Sequence, residues 1–294
     1  MGVFDRRTFL ASAAVCAAAC SQANVLPGER RASLSGFAVN LESWYLDTLF
    51  LGRFDRAARD GFAHVELWVP EGEDRTTDDI GRMARDAGLS IAQIVGEAPE
   101  LARSDPGIRE SFLEMCRKTV DRAKRLDAPV ATIVGHNSID GISKADSLLA
   151  YADHLAAAAP IFESAGVIAA IEPFNPFNHP GHFLYGAGDA ISVVQTVNSP
   201  AIKINWDLFH MQRYEGELIG NLRKAGNTVG YAQLADAPDR MQPGTGDVNY
   251  ANVLKYLRNV VGYTKPIGLE FWAADGDYDR AVWDMVNLAR QMEG

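Results

Sequence analysis

The sequence predicts an α/β protein, a single-domain (β/α)8 TIM barrel. Three observations predict it. Eight short apolar runs alternate with eight helix-length amphipathic segments. No Gly-rich phosphate fingerprint follows the first run, which disfavours a doubly wound open sheet. Several of the later runs end in a carboxylate or an amide, the pattern of strand ends at the ligand-binding face of a parallel-sheet protein. The 294 residues, 47% hydrophobic and 22% charged, suffice for one large barrel with an ample core.

The elements follow in order. LSGFAVNL, at about 34–41, is the first strand, and a helix over about 46–60 ends near Gly61. HVELWVP (64–70) leads into a helix over 76–88, with Thr and Asp near its start and Gly88 at its end, as capping chemistry prefers. SIAQIVGE (90–97) precedes a long helix over 105–127 that opens on Asp105-Pro106. VATIVGHNS (130–138) and a helix over 143–165, closed by Gly166, form the fourth unit. VIAAIEPFN (167–175) reaches its helix at 187–198 through a longer loop that carries His179 and His182, placed at the mouth of the site. AIKINWD (201–207), TVGYAQLAD (228–236) and PIGLEFW (266–272) are the last three strands, with helices at 215–225, 249–261 and 277–292. Neither an internal repeat nor an internal linker divides the chain.

The barrel is assigned to 34–294, and 1–33 to an export signal and linker. Asp5-Arg6-Arg7-Thr8-Phe9-Leu10 resembles a twin-arginine signal, and the apolar stretch after it, about ten residues, is too short for the roughly 20 needed to cross a bilayer. The expected location is the periplasm, with either a lipid anchor at Cys20 or a soluble form. Cys16 and Cys20 fall in the signal, so Cys116 is the single cysteine of the barrel, within a helical pattern that suits packing. A net charge of −10 argues against nucleic acid as the main partner, although a local arginine or metal can still receive a small anion.

Glu172, Asp207, Gln233 and Glu270 end four consecutive predicted strands, the fifth to the eighth. Glu172, Asp207 and Glu270 each follow a near-continuous apolar run, and a carboxylate aimed into a barrel interior is costly unless paired or bound to metal. One cation can reach all four groups, and an all-oxygen set suits Mg²⁺ or Mn²⁺. Asp236, on the same run as Gln233, adds a further polar strand end.

IEPFN, WDLFHMQRYEGEL, YAQLADAPDRMQPGTGDVNY and GLEF together resemble the hydroxypyruvate isomerase family, within the xylose-isomerase-like barrels that include ketose 3-epimerases and endonuclease IV. The resemblance spans about 34–292 and is sharpest over 168–272. It implies that Glu172, Asp207, Gln233 and Glu270 bind the divalent metal and that Glu172 and Glu270 are the acid/base pair. It also implies that His210 and Arg240 contact a small hydroxy-carbonyl substrate. Glu66, Trp68 and His136 join as further substrate-site residues at strand ends two and four. A homodimer or homotetramer is expected by analogy. Where the ketose epimerases carry a histidine ligand, this chain has Gln233. Where many isomerases of this type read Glu-Pro-Gly-Thr-Gly-Glu, it has Gln242 and Asp247, a change expected to act on the pocket or on a subunit contact.

The implied reaction is proton transfer beside a carbonyl through an enediolate, as in converting hydroxypyruvate to tartronate semialdehyde. The alternatives are an exported ketose or keto-polyol epimerase or dehydratase with the same site, and a non-catalytic periplasmic sugar-binding barrel. An endonuclease-IV-like nuclease would need a histidine-rich metal cluster and a basic face, and the sequence shows neither.

Overall fold

The computed structural model describes residues 27–293. The twin-arginine pattern, Cys16 and Cys20 lie outside the described residues. Eight parallel strands close into a barrel in chain order, with β1 completing the ring against β8 through Phe37 opposite Ile267. The strands are β1 Phe37–Asn40, β2 His64–Leu67, β3 Ser90–Val95, β4 Val130–Ile133, β5 Ile168–Ile171, β6 Ile202–Asp207, β7 Val229–Leu234 and β8 Ile267–Leu269. The expected (β/α)8 TIM barrel is therefore the fold.

The helices are α1 Pro27–Leu34, α2 Gly52–Asp60, α3 Thr77–Asp86, α4 Pro106–Arg125 and α5 Lys144–Ala165, followed by α6 Gly186–Val197, α7 Leu208–Tyr214, α8 Leu218–Ala225, α9 Tyr250–Tyr256 and α10 Tyr278–Glu293. Local chemistry sets many of their ends. Thr76 and Asp79 form a reciprocal capping box at the start of α3, and the Asp105 carboxylate caps α4 ahead of Pro106. Gly61 closes α2 in the left-handed region at φ 102°, where a side chain would be strained.

Three elements differ from expectation. Residues 27–34 are helical rather than linker: α1 packs on α10 and buries Leu34 completely. The helix expected from 46 starts only at Gly52, because Tyr45 adopts a positive φ of 58° and its ring is buried, so 41–51 run as turns. A short helix, α7, begins directly at the end of β6, capped by the Asp207 side chain. Cys116 is buried inside α4, where burial pushes its thiol up to about 12. Among the described residues no helix is long and apolar enough to cross a membrane.

Candidate active site

The carboxyl ends of β5 to β8 bring Glu172, Asp207, Gln233 and Glu270 to one end of the barrel. Asp207 does two jobs at once. Its Oδ1 accepts from the Phe209 N–H at 2.7 Å and caps α7, which leaves Oδ2 for the site. The Arg240 guanidinium lies between two of the carboxylates, with Nη2 2.9 Å from Glu270 Oε2 and 3.4 Å from Asp207 Oδ2. The other oxygen of Glu270 accepts from the Trp68 indole at 2.6 Å. No donor among the described residues hydrogen-bonds the Glu172 carboxylate, whose Oε1 is 3.5 Å from His210 Nε2.

Burial raises the pKa of all three carboxylates, because the low-dielectric interior disfavours charge. Glu172 is pushed well above the usual range by burial and by its neighbours Glu270 and Asp207. Glu270 rises to about 7, burial outweighing the opposing pull of Arg240. Asp207 is raised by burial, with Arg240 again opposing.

His210 is oriented by an unexpected partner. Asn175 Oδ1 accepts from the Phe177 and Asn178 N–H groups, each at 3.0 Å, so its amide nitrogen must face away from them. That nitrogen donates to His210 Nδ1 at 2.7 Å. Nδ1 is therefore the acceptor, and the neutral ring carries its proton on Nε2, facing Glu172 and Asp207. Glu172, Asp207 and His210 offer atoms within 4.8 Å of one another. A protonated Nε2, however, has no lone pair for a metal. It is a buried N–H without a hydrogen-bond partner among the described residues, suited to a substrate oxygen.

Two expected substrate contacts sit elsewhere. Glu66 is fully buried behind Gln233, and three donors close it off: Asn40 Nδ2 at 3.1 Å, Gln233 Nε2 at 2.9 Å and the Tyr231 hydroxyl at 2.7 Å. His136 is also fully buried. Its Nε2 lies 2.9 Å from the Glu172 carbonyl and its Nδ1 3.1 Å from His182 Nδ1, so it braces the Glu172 backbone from outside the cavity. Glu66 lies within β2, beneath the strand ends, and His136 lies three residues past β4, where Phe174, His182 and Phe183 pack around its ring.

A cavity of about 480 Å³ opens over the carboxylates. Glu172, His210, Gln233, Arg240 and Glu270 supply its polar wall; Trp68, Val69, Val95, Val134, Phe174 and Trp272 supply the apolar one. His179 also lines it, stacked on Phe174 with ring centroids 4.1 Å apart, whereas His182 does not.

The altered loop residues play no part in the cavity. Gln242 is buried and accepts from the Ala274 N–H at 2.9 Å, tying the loop to the chain beyond β8, and Asp247 is exposed. Asp236 is a loop organiser, accepting from the N–H groups of Gly244, Gly246 and Val248 at 2.8, 3.0 and 3.2 Å. Gly246 is required there because a Cβ would collide with the Ala237 carbonyl.

The donor set fits a divalent cation. Three buried carboxyl groups stand beside one guanidinium, and burial disfavours their charged forms, a cost that a bound dication would offset. Gln233 is held with Nε2 on Glu66 and Oε1 accepting from Asn205 Nδ2 at 2.5 Å, so one amide-oxygen lone pair remains to offer. Asn175 and Asn205 escaped sequence reading, though both carried a signal. Asn175 lies inside IEPFN three residues after Glu172, and Asn205 precedes Asp207 by two, on the same strand face.

A family model described as xylose isomerase-like TIM barrel matches residues 54–288. The hydroxypyruvate isomerase of Escherichia coli K12 is 29% identical over 242 residues, 80% of this chain and 92% of that protein. The 2-oxo-tetronate isomerase of Cupriavidus necator is 29% identical over 267 residues, 86% of this chain and 99% of that protein. Among solved structures, an AP endonuclease, family 2, from Brucella melitensis superposes with TM-score 0.75 at 26% identity, covering 81% of this chain and 93% of that one. An L-ribulose 3-epimerase at 19% identity shares the fold, with TM-score 0.68 over 88% of this chain and 92% of that one.

Proposed function

The chain belongs to the xylose isomerase-like TIM-barrel family, and from that premise we propose that it is a metal-dependent isomerase moving a proton beside a carbonyl. The observation that carries this reading is the pair Glu172 and Glu270 lining one cavity, each at a strand end and each with its pKa raised by burial. The relatives' names, hydroxypyruvate isomerase and 2-oxo-tetronate isomerase, support the same reaction type.

A divalent cation, Mg²⁺ or Mn²⁺, held by Glu172, Asp207, Gln233 and Glu270, would supply the positive charge that stabilises an enediolate. The chain's own residues do the rest. One glutamate takes the carbon-bound proton, and the C–H electron pair becomes the enediolate double bond. The His210 Nε2–H donates to the developing oxyanion, and Arg240 holds Glu270 in place. The second glutamate returns a proton at the neighbouring carbon while the hydroxyl proton passes to the former carbonyl oxygen, giving isomerisation, or returns it on the opposite face of the same carbon, giving epimerisation.

Proton NMR in D2O tests this on protein loaded with Mn²⁺ or Mg²⁺, with hydroxypyruvate and neutral ketoses as substrates. Deuterium uptake beside a carbonyl, lost with EDTA, is the expected result. A metal-loaded protein that exchanges no compound in the panel refutes it and favours a sugar-binding barrel. We further propose export through the twin-arginine route, supported by Arg6-Arg7, and either lipidation at Cys20 or a soluble periplasmic form. Cell fractionation of the wild type and of an Arg6→Lys, Arg7→Lys variant tests it. A homodimer or homotetramer is proposed by analogy with the family, to be read by light scattering.

A further inference from the structure

We infer that the end of the barrel opposite the active site is a docking face for an anionic phospholipid bilayer, and that the catalytic mouth points away from that surface. This goes beyond the isomerase reading and does not depend on it.

Charge distribution is the first argument. The stretches 199–203, 223–228 and 257–266, at the amino ends of β6, β7 and β8, hold five lysines or arginines and no aspartate or glutamate, in a chain of net charge −10. Contacts across the strand starts tie this sector together. Lys203 Nζ donates to the Asn227 carbonyl at 3.1 Å, and Arg258 donates to the carbonyls of Lys265 and Gly36 at 2.7 and 3.1 Å. Helix α1 extends the sector to β1, setting Arg30 and Arg31 against one acid, Glu29. Arg30, Arg31, Lys203, Arg223, Lys224 and Lys265 form no ion pair among the described residues. On α4, by contrast, Arg122 pairs with Glu71 and Glu97, and Arg125 with Asp78. The preference of helix carboxyl ends for cations accounts for Arg223 and Lys224. It does not account for Lys203 and Lys265, which stand at strand starts, where the Lys203 charge opposes that of half-buried Lys265. An apposed anionic surface relieves that repulsion.

The path of the chain is the second. Helix α1 begins at Pro27 and leads into the amino end of β1, so the preceding segment joins the barrel at this same end. Cys20, the proposed lipid attachment, is seven residues from Pro27, a reach of at most about 25 Å. A tether rooted there brings the basic face to the bilayer, while Glu172, Asp207, Gln233 and Glu270 stand at the carboxyl strand ends on the far side. Screening confines the attraction to charges within about 8 Å of the surface, so the cations facing the lipid count and the acidic remainder favours pointing outwards. Val260, 64% exposed between Arg258 and Lys265, adds an apolar contact at headgroup level. One acyl chain binds a bilayer only marginally, and a basic patch beside it is the second signal that makes anchoring stable.

The experiment is vesicle co-sedimentation of the full, unlipidated chain in EDTA, so that no divalent cation bridges protein and lipid. Vesicles of phosphatidylcholine alone are compared with vesicles containing about one-third phosphatidylglycerol, at ~0.05 M and ~0.5 M salt. Wild type is set beside Arg31→Gln, Lys224→Gln, Lys265→Gln on the basic face and Arg117→Gln, Lys118→Gln, Lys144→Gln on α4 and α5. Both triple variants lose the same charge, and neither touches residues 1–26, so any binding by the signal itself is common to all three proteins. Expected is roughly tenfold or tighter wild-type binding to the anionic vesicles than to the neutral ones, abolished at high salt. Each cation near the surface is worth roughly fivefold, so the face variant should bind at least about tenfold more weakly and the α4/α5 variant within about twofold of wild type. Equal binding to neutral and anionic vesicles, no binding to either, or equal losses in the two variants overturns the docking face. Lipidation and catalysis are read in other experiments, so their failure leaves this result standing.

Discussion

Two layers of polar side chains fill the same barrel, and they are built to opposite standards. In the inner layer, three donors satisfy the Glu66 carboxylate, and Gln233 and Asn205 extend the chain towards Thr132, with only Asn205 Oδ1 of these groups lacking a partner among the described residues. In the outer layer, among the described residues, Glu172 has no hydrogen-bond donor, His210 Nε2–H has no acceptor, and two carboxylates share one guanidinium. A satisfied buried network specifies structure, whereas an under-satisfied one stores affinity for what completes it. Glu66 and Glu172 are both buried glutamates raised by burial, Glu66 to about 8. Their partners, not their pKa shifts, tell them apart.

The largest expected effect falls on the outer layer. Glu270→Gln should cut deuterium exchange by about 10³-fold while ligand binding persists, because general-base removal costs on the order of 10²–10⁴ in rate. Unchanged exchange would erase the functional distinction between the layers.

The inner layer should answer in stability instead. Glu66→Gln puts an amide NH2 against donors that now all point at a carboxylate, at an expected cost of about 3 kcal/mol in urea unfolding. Gly268→Ala should cost about 2 kcal/mol by the same route, since its Cβ would collide with Glu66 and Gln233. Near-wild-type stability in both would show that the inner network is not what holds this part of the barrel.

A smaller effect comes from the histidine wall. Burial, with the neighbouring His182, lowers His136 to about 3 from 6.5, and its ring is packed by Tyr151, Phe174 and Phe183. Because the folded pKa is depressed, the unfolded chain binds the proton first. Its contribution is intact above about 6.5 and is lost as pH falls towards about 3. At pH 5 the loss is about 2 kcal/mol, at ~1.36 kcal/mol per pKa unit. Urea unfolding at pH 7 and pH 5 should show a difference that shrinks in His136→Asn.

How much of this was legible in the sequence follows from what a sequence encodes locally. The alternation of apolar runs and capped helices is local, and it yielded the closed barrel. The strand-end carboxylates were visible because each terminates an apolar run. Depth was not visible. Glu66 and Glu172 look alike at a strand end, and only the ring closure that brings Tyr231 and Asn40 onto Glu66 separates them. Asn175 acts through a turn it makes with Phe177 and Asn178, which spacing alone does not reveal. Gln242 looked like a pocket change because it stands in a loop beside the site, but its contact is with Ala274, a long-range partner.

The smallest effect is also the one with the opposite sign. Glu172→Gln removes a buried carboxyl group whose charged form is disfavoured by burial and by Glu270 and Asp207, and which no described donor hydrogen-bonds. Nothing in the metal-free fold is left unpaired by the change, and mutual repulsion among the carboxylates falls. The metal-free variant should therefore be as stable as wild type or more so, by about 0.5–1 kcal/mol, as happens when a functional group is held at a cost to stability. Adding Mn²⁺ should reverse the order. Wild type gains about 2.7 kcal/mol at a metal concentration one hundredfold above Kd, and the variant, lacking one anionic ligand, gains less. Thermal unfolding with EDTA and with Mn²⁺ reads both arms. A Glu172→Gln variant less stable than wild type without metal would mean that the outer layer, like the inner one, is there to hold the barrel together.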